Sequence, residues 1–339
     1  MKAAIYNPYW DTLGGGERYT ISFAKVLTQQ GYSVDVEWKS TDLLDKIHER
    51  FGIETGDIKI VPDVKKGDGY DLCFWVSDGS IPLLHSRNNL IHFQVPFTDV
   101  NGRSLINKMK LFRIKNVICN SQFTKNIIDT EYGVNSVIIY PPCDVDKIKA
   151  KRKENIILAV GRFSNLLQAK RQDVLIDAFI RFSKEDEHGW KLILAGGTNV
   201  GATDFIDKLK LKAKGHEIEF IESPDFRDLI TLYGKAKLFW SASGYSENPI
   251  KHPKKMEHFG ISLVEAMAAG CIPFVFKGGG YREILKDNPN YLWDRKSELV
   301  SKTLDVIKNK GLREATREVR TRAQDFGYEN FKKSVIALI

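Results

Sequence analysis

The sequence predicts an α/β protein made of two Rossmann-like domains, each with a parallel sheet. Short apolar runs alternate with amphipathic helical patterns, as expected for a parallel sheet covered by helices on both faces. The alternation pauses at "YPPCDVDKIKAKRKE", where two prolines and a run of charges are typical of a linker, and then starts again. The length of 339 residues also suits two domains better than one core.

The elements of the first half follow from composition and periodicity. A helix is predicted for "ERYTISFAKVLTQQG", because apolar residues recur at helical spacing and Gly31 suits a C-cap. Strands are predicted for the β-rich apolar runs "AAIYN", "SVDVEW", "DLCFWV", "LIHFQ", "NVICN" and "SVIIY".

The second half repeats this alternation. Helices are predicted for "RQDVLIDAFIRF" and for "FGISLVEAMAAG", which Gly270 closes. We place the first domain at residues 1–145 and the second at 146–325, and expect them to face each other across a cleft. The predicted strands are "NIILAVG", "WKLILAGG", "EIEFIE", "KLFWSA" and "CIPFVF".

Composition excludes several classes of protein. No apolar run approaches the roughly 18–20 residues of a membrane span, and "MKAAIYNPYW" turns polar too early for a signal peptide. The cysteines show neither a CxxC motif nor metal-like clustering, so we expect a reduced, cytoplasmic protein. They are Cys73, Cys119, Cys143 and Cys271.

Charge is distributed unevenly along the chain, whose formal net charge is +8. Residues 1–150 carry 18 basic and 18 acidic side chains, which leaves 33 basic and 25 acidic ones for residues 151–339. The excess in the second half favours an anionic ligand or surface there. Solubilising lysines on helix faces such as "KLKLKAKGHE" are the alternative. We expect no nucleic-acid partner.

Three glycines, Gly14, Gly15 and Gly16, lie between the first predicted strand and helix. Glycines let the backbone approach a ligand, and a helix N-terminus presents free N–H groups to an anion. The turn matches neither GxGxxG nor GxxxxGK[ST]. A tight structural turn is therefore an equal alternative.

Arg162 and Lys170 flank the first loop of the second half. Arg162 directly follows a predicted strand and Lys170 precedes a predicted helix, so both are expected at the carboxyl edge of the sheet, where open α/β folds bind ligands. Arginine offers a fork and lysine a point charge for phosphate oxygens. Solvation at the surface is the alternative for each.

Glu257 and Glu265 stand eight residues apart, one just before a helix and one within it. A buried carboxylate is costly unless it accepts hydrogen bonds, for example from hydroxyl groups of a ligand. Two carboxylates beside free helix amides therefore suggest a nucleotide-sugar site. A capping glutamate and an exposed helical glutamate are the alternative.

Taken in order, these motifs resemble the retaining GT-B glycosyltransferases of the group-1, or GT4, family. "EHFGISLVEAMAAG" resembles the E-x7-E motif, "GGGER" the glycine turn and "GGGYREIL" the GG-x-x-E stretch of that family. "VICNSQFTKNII" resembles the segment before the linker. The wording of the motifs is closest to dolichol-pathway mannosyltransferases, which extend a lipid-linked oligosaccharide.

The resemblance implies a role for each residue of the second domain, which would bind the donor. Glu265 would hold the ribose hydroxyls and Glu257 the transferred sugar. Arg162 and Lys170 would neutralise the diphosphate. The helix-dipole contribution would come from the backbone amides of Phe259, Gly260 and Ile261.

For the first domain, which would bind the acceptor, the resemblance implies two further contacts. His92 in "LIHFQVPF" would lie near the donor sugar, with a satisfied core histidine as the alternative. Gly14, Gly15 and Gly16 would close over the phosphates or the acceptor. The segment 326–339 would pack back onto this domain, and Phe331, Val335 and Ile339 give it one apolar stripe.

The implied reaction is transfer of a hexosyl group from a nucleoside diphosphate to a hydroxyl acceptor, with retention of configuration. We expect no cofactor and no metal, with a GDP- or UDP-linked sugar as co-substrate, and read "DVD" at 144–146 as a turn. The acceptor would be a glycan, a lipid-linked sugar or a small molecule. A nucleotide-sugar epimerase and a non-catalytic sugar-nucleotide-binding subunit remain as alternatives.

Three segments depart from the pattern or leave a choice open. The loop "FSNLLQA" between Arg162 and Lys170 is longer than usual in the family. The segment 243–256, with His252, is either an acceptor-binding lid or a surface loop. "RSLINKMKLFRIKNVI", residues 103–118, is either an ordinary sheet-covering helix or a basic amphipathic helix in peripheral contact with a membrane.

Overall fold

The computed structural model describes residues 1–164, 168–186, 188–198, 203–308 and 312–339. The chain forms two compact units. The first comprises Met1–Pro142 and Tyr328–Ile339, and the second comprises Cys143–Gly327. The segment that returns to the first unit is the C-terminal one.

Every predicted strand of the sequence corresponds to a strand in the structure, and two short edge strands add to them. The strands of the described residues are β1 (Lys2–Tyr6), β2 (Ser33–Glu37), β3 (Lys59–Val61), β4 (Leu72–Val76), β5 (Asn88–Phe93), β6 (Ile114–Cys119), β7 (Val137–Ile138), β8 (Glu154–Val160), β9 (Lys191–Gly196), β10 (Ile218–Glu222), β11 (Ala236–Ser241), β12 (Ile272–Phe276) and β13 (Leu292–Trp293).

Helices connect most of these strands. Those of the described residues are α1 (Gly15–Gln29), α2 (Leu43–Phe51), α3 (Leu105–Leu111), α4 (Gln122–Tyr132), α5 (Gln172–Phe182), α6 (Thr203–Ala213), α7 (Phe226–Lys235), α8 (Ile261–Ala268), α9 (Tyr281–Ile284), α10 (Lys296–Lys308), α11 (Leu312–Ala323) and α12 (Tyr328–Ile336).

The first unit is a doubly wound parallel sheet. Its strand order is β3-β2-β1-β4-β5-β6-β7, and each pair is parallel. The direction of winding reverses between β1 and β4, which makes that point the topological switch. Three residues of β1, Ala3 to Ile5, are completely buried, as expected for a strand covered on both faces.

α12 belongs to the core of the first unit. Phe331 and Val335, four residues apart and so on one helix face, are both buried there. The ring of Phe331 meets that of Tyr19 on α1 edge-on, with the centroids 5.2 Å apart. The apolar stripe of the last segment therefore completes the layer that covers the sheet beside α1.

The second unit repeats the same architecture. Within the described residues its strand order is β10-β9-β8-β11-β12-β13, again with parallel pairs. The switch point lies between β8 and β11. The carboxyl ends of these two strands are Val160 and Ser241, so the residues that follow them are the ones the fold places at a ligand-binding edge.

Two expectations about elements differ from the structure. The edge strands β3 and β13 have three and two residues, too few to show the periodicity by which strands are recognised. The predicted helix over residues 103–118 is also wrong in extent, because α3 ends at Leu111 and the chain enters β6 at Ile114. Among the described residues, no helix is long and apolar enough to cross a membrane.

Candidate functional site

A cavity opens at the switch point of the second unit. Gly161, which follows β8, and Ser241, which ends β11, line it together with Lys170 and Gln172 from the start of α5. The side-chain amide of Gln172 donates from Nε2 to the carbonyl oxygens of Gly161 and Arg162, at 3.3 and 3.1 Å. The start of α5 is thereby tied to the end of β8, and Lys170 is held at the carboxyl edge of the sheet.

An ion pair joins Lys170 to Glu257. The Lys170 Nζ lies 2.7 Å from Glu257 Oε2, and the two side chains are only 20% and 11% exposed. Burial raises the pKa of Glu257, but the charge and hydrogen bond of Lys170, with smaller contributions from His258 and Ser243, outweigh it and leave that pKa below its usual value. The carboxylate is therefore ionised at neutral pH. Two residues 87 positions apart in the sequence meet as a partly buried pair of opposite charges.

Tyr281 connects this carboxylate to the end of β11. Its hydroxyl lies 3.3 Å from Glu257 Oε2 and 2.7 Å from Ser241 Oγ. Burial raises the pKa of Tyr281 well above 10, and the charge of Glu257 adds to the shift. The phenol therefore stays protonated and can donate to the carboxylate. Sequence reasoning missed Tyr281, although it directly follows the three glycines of "GGGYREIL".

Those glycines hold the backbone of Glu257. A Cβ on Gly279, whose φ is +58°, would lie 2.0 Å from the Glu257 carbonyl oxygen, and one on Gly280 would lie 2.5 Å from Phe259 Cα. The amide of Gly280 donates to the same carbonyl of Glu257 at 2.8 Å. No side chain fits between these segments, which is a physical reason for glycines at this place.

α8 begins at Ile261, four residues after Glu257. Gly260 caps the helix with a φ of +121°, and no side-chain hydrogen bond caps it among the described residues. The first turn contains no acidic residue. Because the first N–H groups of a helix lack intrahelical acceptors, the amides at Ile261 and Ser262 form a local positive pole. The predicted donor-binding residues Phe259, Gly260 and Ile261 thus stand together at this pole.

Glu265 lies one turn further along α8 and is 6% exposed. The hydroxyl of Tyr233, at the end of α7, donates to Glu265 Oε2 at 3.1 Å. Burial raises the pKa of Tyr233, and the Glu265 carboxylate raises it further. The alternative in which Glu265 is an exposed helical glutamate is wrong; contact with a ribose stays a prediction.

Arg162 lies two residues beyond the end of β8 and is exposed. Within the described ranges, its guanidinium makes no hydrogen bond or ion pair. Residues 165–167 of the predicted long loop "FSNLLQA" lie outside the described residues. Gln168, after that gap, donates to the Met256 carbonyl at 3.1 Å and so ties this loop to the residue before Glu257.

The glycine turn of the first unit carries its own carboxylate. The amide of Gly14 and the hydroxyl of Thr12 both donate to Glu17 Oε2 at 2.6 Å. Glu17 is 2% exposed, so the N-terminal pole of α1 already faces a buried negative charge. Gly15 is exposed at this turn, while a Cβ on Gly16 would lie 1.9 Å from the side-chain oxygen of Gln94.

His92 lies inside the core of the first unit. Its ring is 0% exposed and stacks on Tyr19, with the centroids 4.1 Å apart and the planes 9° from parallel. Burial lowers the pKa of His92 to about 3, although the nearby backbone of Ile118 favours protonation. No hydrogen bond forms at either ring nitrogen within the part of the chain that the structure describes. This placement argues against a direct contact between His92 and a donor sugar.

The segment 243–256 folds over on itself. Glu247 accepts from both His252 Nδ1 and Lys255 Nζ at 3.0 Å. Arg171 Nη1 donates to the Tyr245 carbonyl at 2.9 Å, which anchors the start of the segment to α5. Ile250, at its tip, is 86% exposed. An acceptor-binding role for this segment stays a prediction.

Metal-ligating residues do not gather in the described part of the chain, where no three His, Cys, Asp or Glu side chains form a group that could hold an ion. In "DVD", the carbonyl of Asp144 accepts from the amides of Lys147 and Ile148, at 3.0 and 3.2 Å. This is a helical-type turn at the beginning of the second unit.

A doubly wound sheet with a cation, a carboxylate and a bare helix N-terminus at its switch point has the features of a nucleotide-binding enzyme. Residues 144–323 match the sequence model of the family described as glycosyl transferases group 1. The chain therefore belongs to the group 1 glycosyltransferase family.

Curated relatives include mannosyltransferases. Alpha-1,3/1,6-mannosyltransferase ALG2 of Yarrowia lipolytica is 24% identical, with 91% of this chain and 84% of that protein covered. GDP-Man:Man(3)GlcNAc(2)-PP-Dol alpha-1,2-mannosyltransferase of Dictyostelium discoideum is 26% identical over 66% of this chain. Uncharacterized glycosyltransferase MJ1178 of Methanocaldococcus jannaschii is 27% identical over 60% of this chain. The matches span only 47% and 52% of the last two relatives' own lengths.

Solved structures match the fold along the chain. Anabaena Alr3699/HepE in complex with UDP-glucose aligns with a TM-score of 0.76 and 18% identity, covering 99% of this chain and 98% of that one. Sucrose-phosphate synthase from Thermosynechococcus elongatus aligns with a TM-score of 0.73 and 16% identity, covering 100% and 98%. The two parallel-sheet units are thus those of a GT-B glycosyltransferase.

Proposed function

We propose that the protein transfers a hexosyl group from a nucleoside diphosphate to a hydroxyl acceptor, with retention of configuration and without a metal. The observation that carries this proposal is the Lys170–Glu257 pair at the uncapped N-terminus of α8. Positive and negative groups stand side by side there, which suits a ligand made of an anionic diphosphate and a hydroxyl-rich sugar.

The diphosphate would be bound by three sources of positive charge. Lys170 and Arg162 would contact its oxygens, and the amides at the start of α8 would add the helix-dipole term. Such preorganised groups stabilise the charge that develops as the diphosphate leaves, which is the work a metal ion does in other phosphate chemistry. Glu265 would accept hydrogen bonds from the ribose hydroxyls.

Glu257 would face the transferred sugar. Its carboxylate is neutralised by Lys170 and accepts a hydrogen bond from Tyr281. When the diphosphate binds, Lys170 would turn to the phosphate oxygens and free one carboxylate oxygen for a sugar hydroxyl.

In the proposed transfer step, every bond and proton is accounted for by the donor and the acceptor, without a cofactor. The bond between the anomeric carbon and the diphosphate oxygen breaks, and the acceptor oxygen forms its bond to that carbon on the same face. The acceptor proton passes to the leaving phosphate oxygen. We propose this front-face substitution because the leaving phosphate oxygen can itself take the acceptor proton.

For the donor, we favour a guanine nucleotide carrying mannose. Two relatives are named mannosyltransferases, and the printed name of one specifies GDP-Man. The same relatives favour a lipid-linked sugar as the acceptor, since that name also specifies a PP-Dol-linked substrate. A protein that uses such an acceptor would work in peripheral contact with a membrane.

A thermal-shift comparison of GDP, UDP, ADP and dTDP tests the donor. A ligand at about a hundred times its dissociation constant stabilises the folded state by roughly 2.7 kcal/mol. We expect GDP to raise the melting temperature most. If none of the four raises it, the donor-site proposal is wrong.

Product analysis with GDP-mannose separates transfer from the alternatives. A transferase releases GDP together with an α-linked product only when an acceptor hydroxyl is supplied, whereas an epimerase changes the sugar without an acceptor. A binding subunit changes neither. Retention is tested by the anomeric configuration of the product in its proton spectrum.

A further inference from the structure

The first unit carries an apolar surface that the fold does not cover. None of the residues of α3 is buried, although helices beside a parallel sheet normally bury one face. Four large apolar side chains are exposed on α3 and at its C-cap. They are Leu105 (75%), Ile106 (66%), Met109 (64%) and Phe112 (90%).

These side chains form one stripe. Leu105, Met109 and Phe112 follow the i, i+4, i+7 spacing of a single helix face, and Ile106 borders it. We call these four residues the α3 patch. Among the described residues of the whole chain, nine large hydrophobic side chains are exposed, and four of the nine belong to this patch. Exposed apolar groups gathered in this way mark an interaction surface.

Positive charge surrounds the α3 patch. Residues 103–115 contain five basic side chains and no acidic one, although residues 1–150 as a whole are balanced in charge. Within the described residues none of the five pairs with a carboxylate. Two of them bond to backbone carbonyls: Arg103 Nε to Thr130 at 2.9 Å and Arg113 Nε to Leu84 at 2.7 Å. The five are Arg103, Lys108, Lys110, Arg113 and Lys115.

Hydrogen bonds fix the start of α3 and the loop before it. Ser104 caps α3 by accepting from the Asn107 amide at 3.3 Å. The loop before it is fixed by Glu131, whose Oε1 accepts from the amides of Val100 and Gly102 at 3.1 and 3.2 Å. The Glu131 carboxylate is thus engaged with backbone amides.

We propose that the α3 patch docks on an anionic lipid bilayer, with its apolar side chains in the interface and its basic side chains on the headgroups. An apolar stripe flanked by basic groups that pair with no carboxylate among the described residues matches such a surface in both hydrophobicity and charge. A second copy of the chain is a poorer partner, because two α3 patches would bring five positive charges against five. The proposal deepens the proposed function by naming the surface through which the chain reaches a lipid-linked acceptor, and rests on it to that extent.

Co-sedimentation of the full chain with vesicles tests the proposal. We expect at least tenfold stronger binding to vesicles of phosphatidylcholine with 30% phosphatidylglycerol than to phosphatidylcholine alone, since each basic residue near the surface contributes about fivefold. Ile106→Ser/Phe112→Ser and Lys108→Glu/Lys110→Glu should each lower binding to the anionic vesicles at least tenfold.

A matched control comes from the lysine-rich helix α6. Its Leu211 is 73% exposed, but no second large apolar side chain of α6 is exposed. Lys208→Glu/Leu211→Ser should therefore leave vesicle binding within about twofold of wild type. An equal loss in this variant would mean that overall charge, not the α3 patch, drives binding.

Several results would overturn the proposal. These are equal binding to both kinds of vesicle, no binding to either, or full binding by Ile106→Ser/Phe112→Ser. A wild-type dimer in analytical ultracentrifugation that this variant converts to a monomer, without vesicle binding, would assign the patch to a second copy instead. The GDP thermal shift keeps the two proposals apart. A variant that loses vesicle binding but keeps the shift supports the docking surface, whereas a wild-type chain that shows the shift but binds no vesicles refutes only the docking surface.

Discussion

The two units wind their sheets in the same way, yet their helix N-termini differ in what they can bind. In the first unit, the N-terminus of α1 is occupied by the carboxylate of Glu17, which accepts from Gly14 and Thr12 at 2.6 Å. In the second, no side chain of the described residues caps α8, and Lys170 pairs with Glu257 just before it. With the same topology, the N-terminus of α1 already faces a carboxylate, whereas the N-terminus of α8 is available to an anionic ligand. The glycine turn of the first unit is therefore poorly suited to binding a phosphate.

The largest effect is expected for Lys170→Ala. Removing one preorganised donor to a developing charge typically lowers turnover by about 10²- to 10³-fold. Steady-state transfer from GDP-mannose measures this, with Lys184→Ala as control, since Lys184 is an exposed lysine beyond the other end of α5. If Lys170→Ala turns over at the wild-type rate, Lys170 does not stabilise the leaving diphosphate, and the proposed role of the α8 N-terminus is contradicted.

Glu265→Ala should weaken nucleoside diphosphate binding by roughly ten- to a hundredfold, because a charged hydrogen-bond partner contributes about 1.5–3 kcal/mol. Glu257→Ala should leave GDP binding nearly intact and depress transfer. Calorimetry with GDP separates the two. Glu318→Ala is a matched control, because Glu318 also accepts from a tyrosine hydroxyl, that of Tyr291, at 2.7 Å. Normal GDP binding by Glu265→Ala would place the ribose elsewhere.

His92→Phe tests how the buried histidine of the first unit affects the pH dependence of folding stability. The pKa of His92 is about 3 in the folded state against 6.5 in the unfolded chain. The free energy of unfolding is therefore not reduced by His92 above pH 6.5 and decreases as the pH falls below it. The reason is that the unfolded chain then binds a proton at this histidine, whereas the folded protein does not. Between pH 5.5 and 4.5 the loss approaches about 1.4 kcal/mol, roughly tenfold in the unfolding equilibrium.

Urea unfolding at both pH values measures this loss. We expect His92→Phe, which keeps an aromatic ring in the stack on Tyr19, to show a smaller drop than the wild type by that amount. His216→Phe, at an exposed histidine, should not change the drop. If His92→Phe instead abolishes transfer while its stability profile is that of the wild type, His92 contacts the donor after all.

Tyr281→Phe should have the smallest effect. Losing the hydroxyl removes the bonds to Glu257 and Ser241, and a hydrogen bond contributes about 0.5–1.5 kcal/mol, or roughly two- to tenfold in kcat. Without this donor the pKa of Glu257 should rise, so the acidic limb of the kcat profile should move to higher pH. Tyr291→Phe serves as the control. An unmoved limb would mean that Tyr281 only packs against Gly260.

Much of the fold could be predicted because parallel strands buried on both faces appear as continuous apolar runs, as in β1 and β8. The edge strands β3 and β13 could not, since they are too short to carry a pattern. The extent of α3 was also wrong, because Phe112 and Ile114 continue its apolar spacing into a strand, and spacing alone does not mark where a helix stops.

For the candidate site, the sequence predicted where residues lie relative to strands and helices, but not which side chains contact each other. Position after a strand and before a helix predicted that Arg162 and Lys170 lie at the carboxyl edge of the sheet, and Glu257 was expected just before a helix. That Lys170 pairs with Glu257, and that Tyr281 and the glycines beside it hold this carboxylate, depends on contacts between segments far apart in the sequence. The burial of His92 depends on such contacts too, because its place near the end of β5 gives no sign that Tyr19 stacks on its ring.

Hydrogen exchange with and without a nucleoside diphosphate tests the central claim most directly. The first amides of a helix without a side-chain cap exchange readily, and a bound phosphate that accepts from them slows that exchange. With the nucleotide that gives the largest thermal shift, we predict slower exchange in peptides that cover residues 257–264 and no change in those that cover residues 12–19. The protection should disappear in Lys170→Ala. Protection of residues 12–19, with none at 257–264, would contradict the account, because it would place the phosphates at the pole that Glu17 already fills.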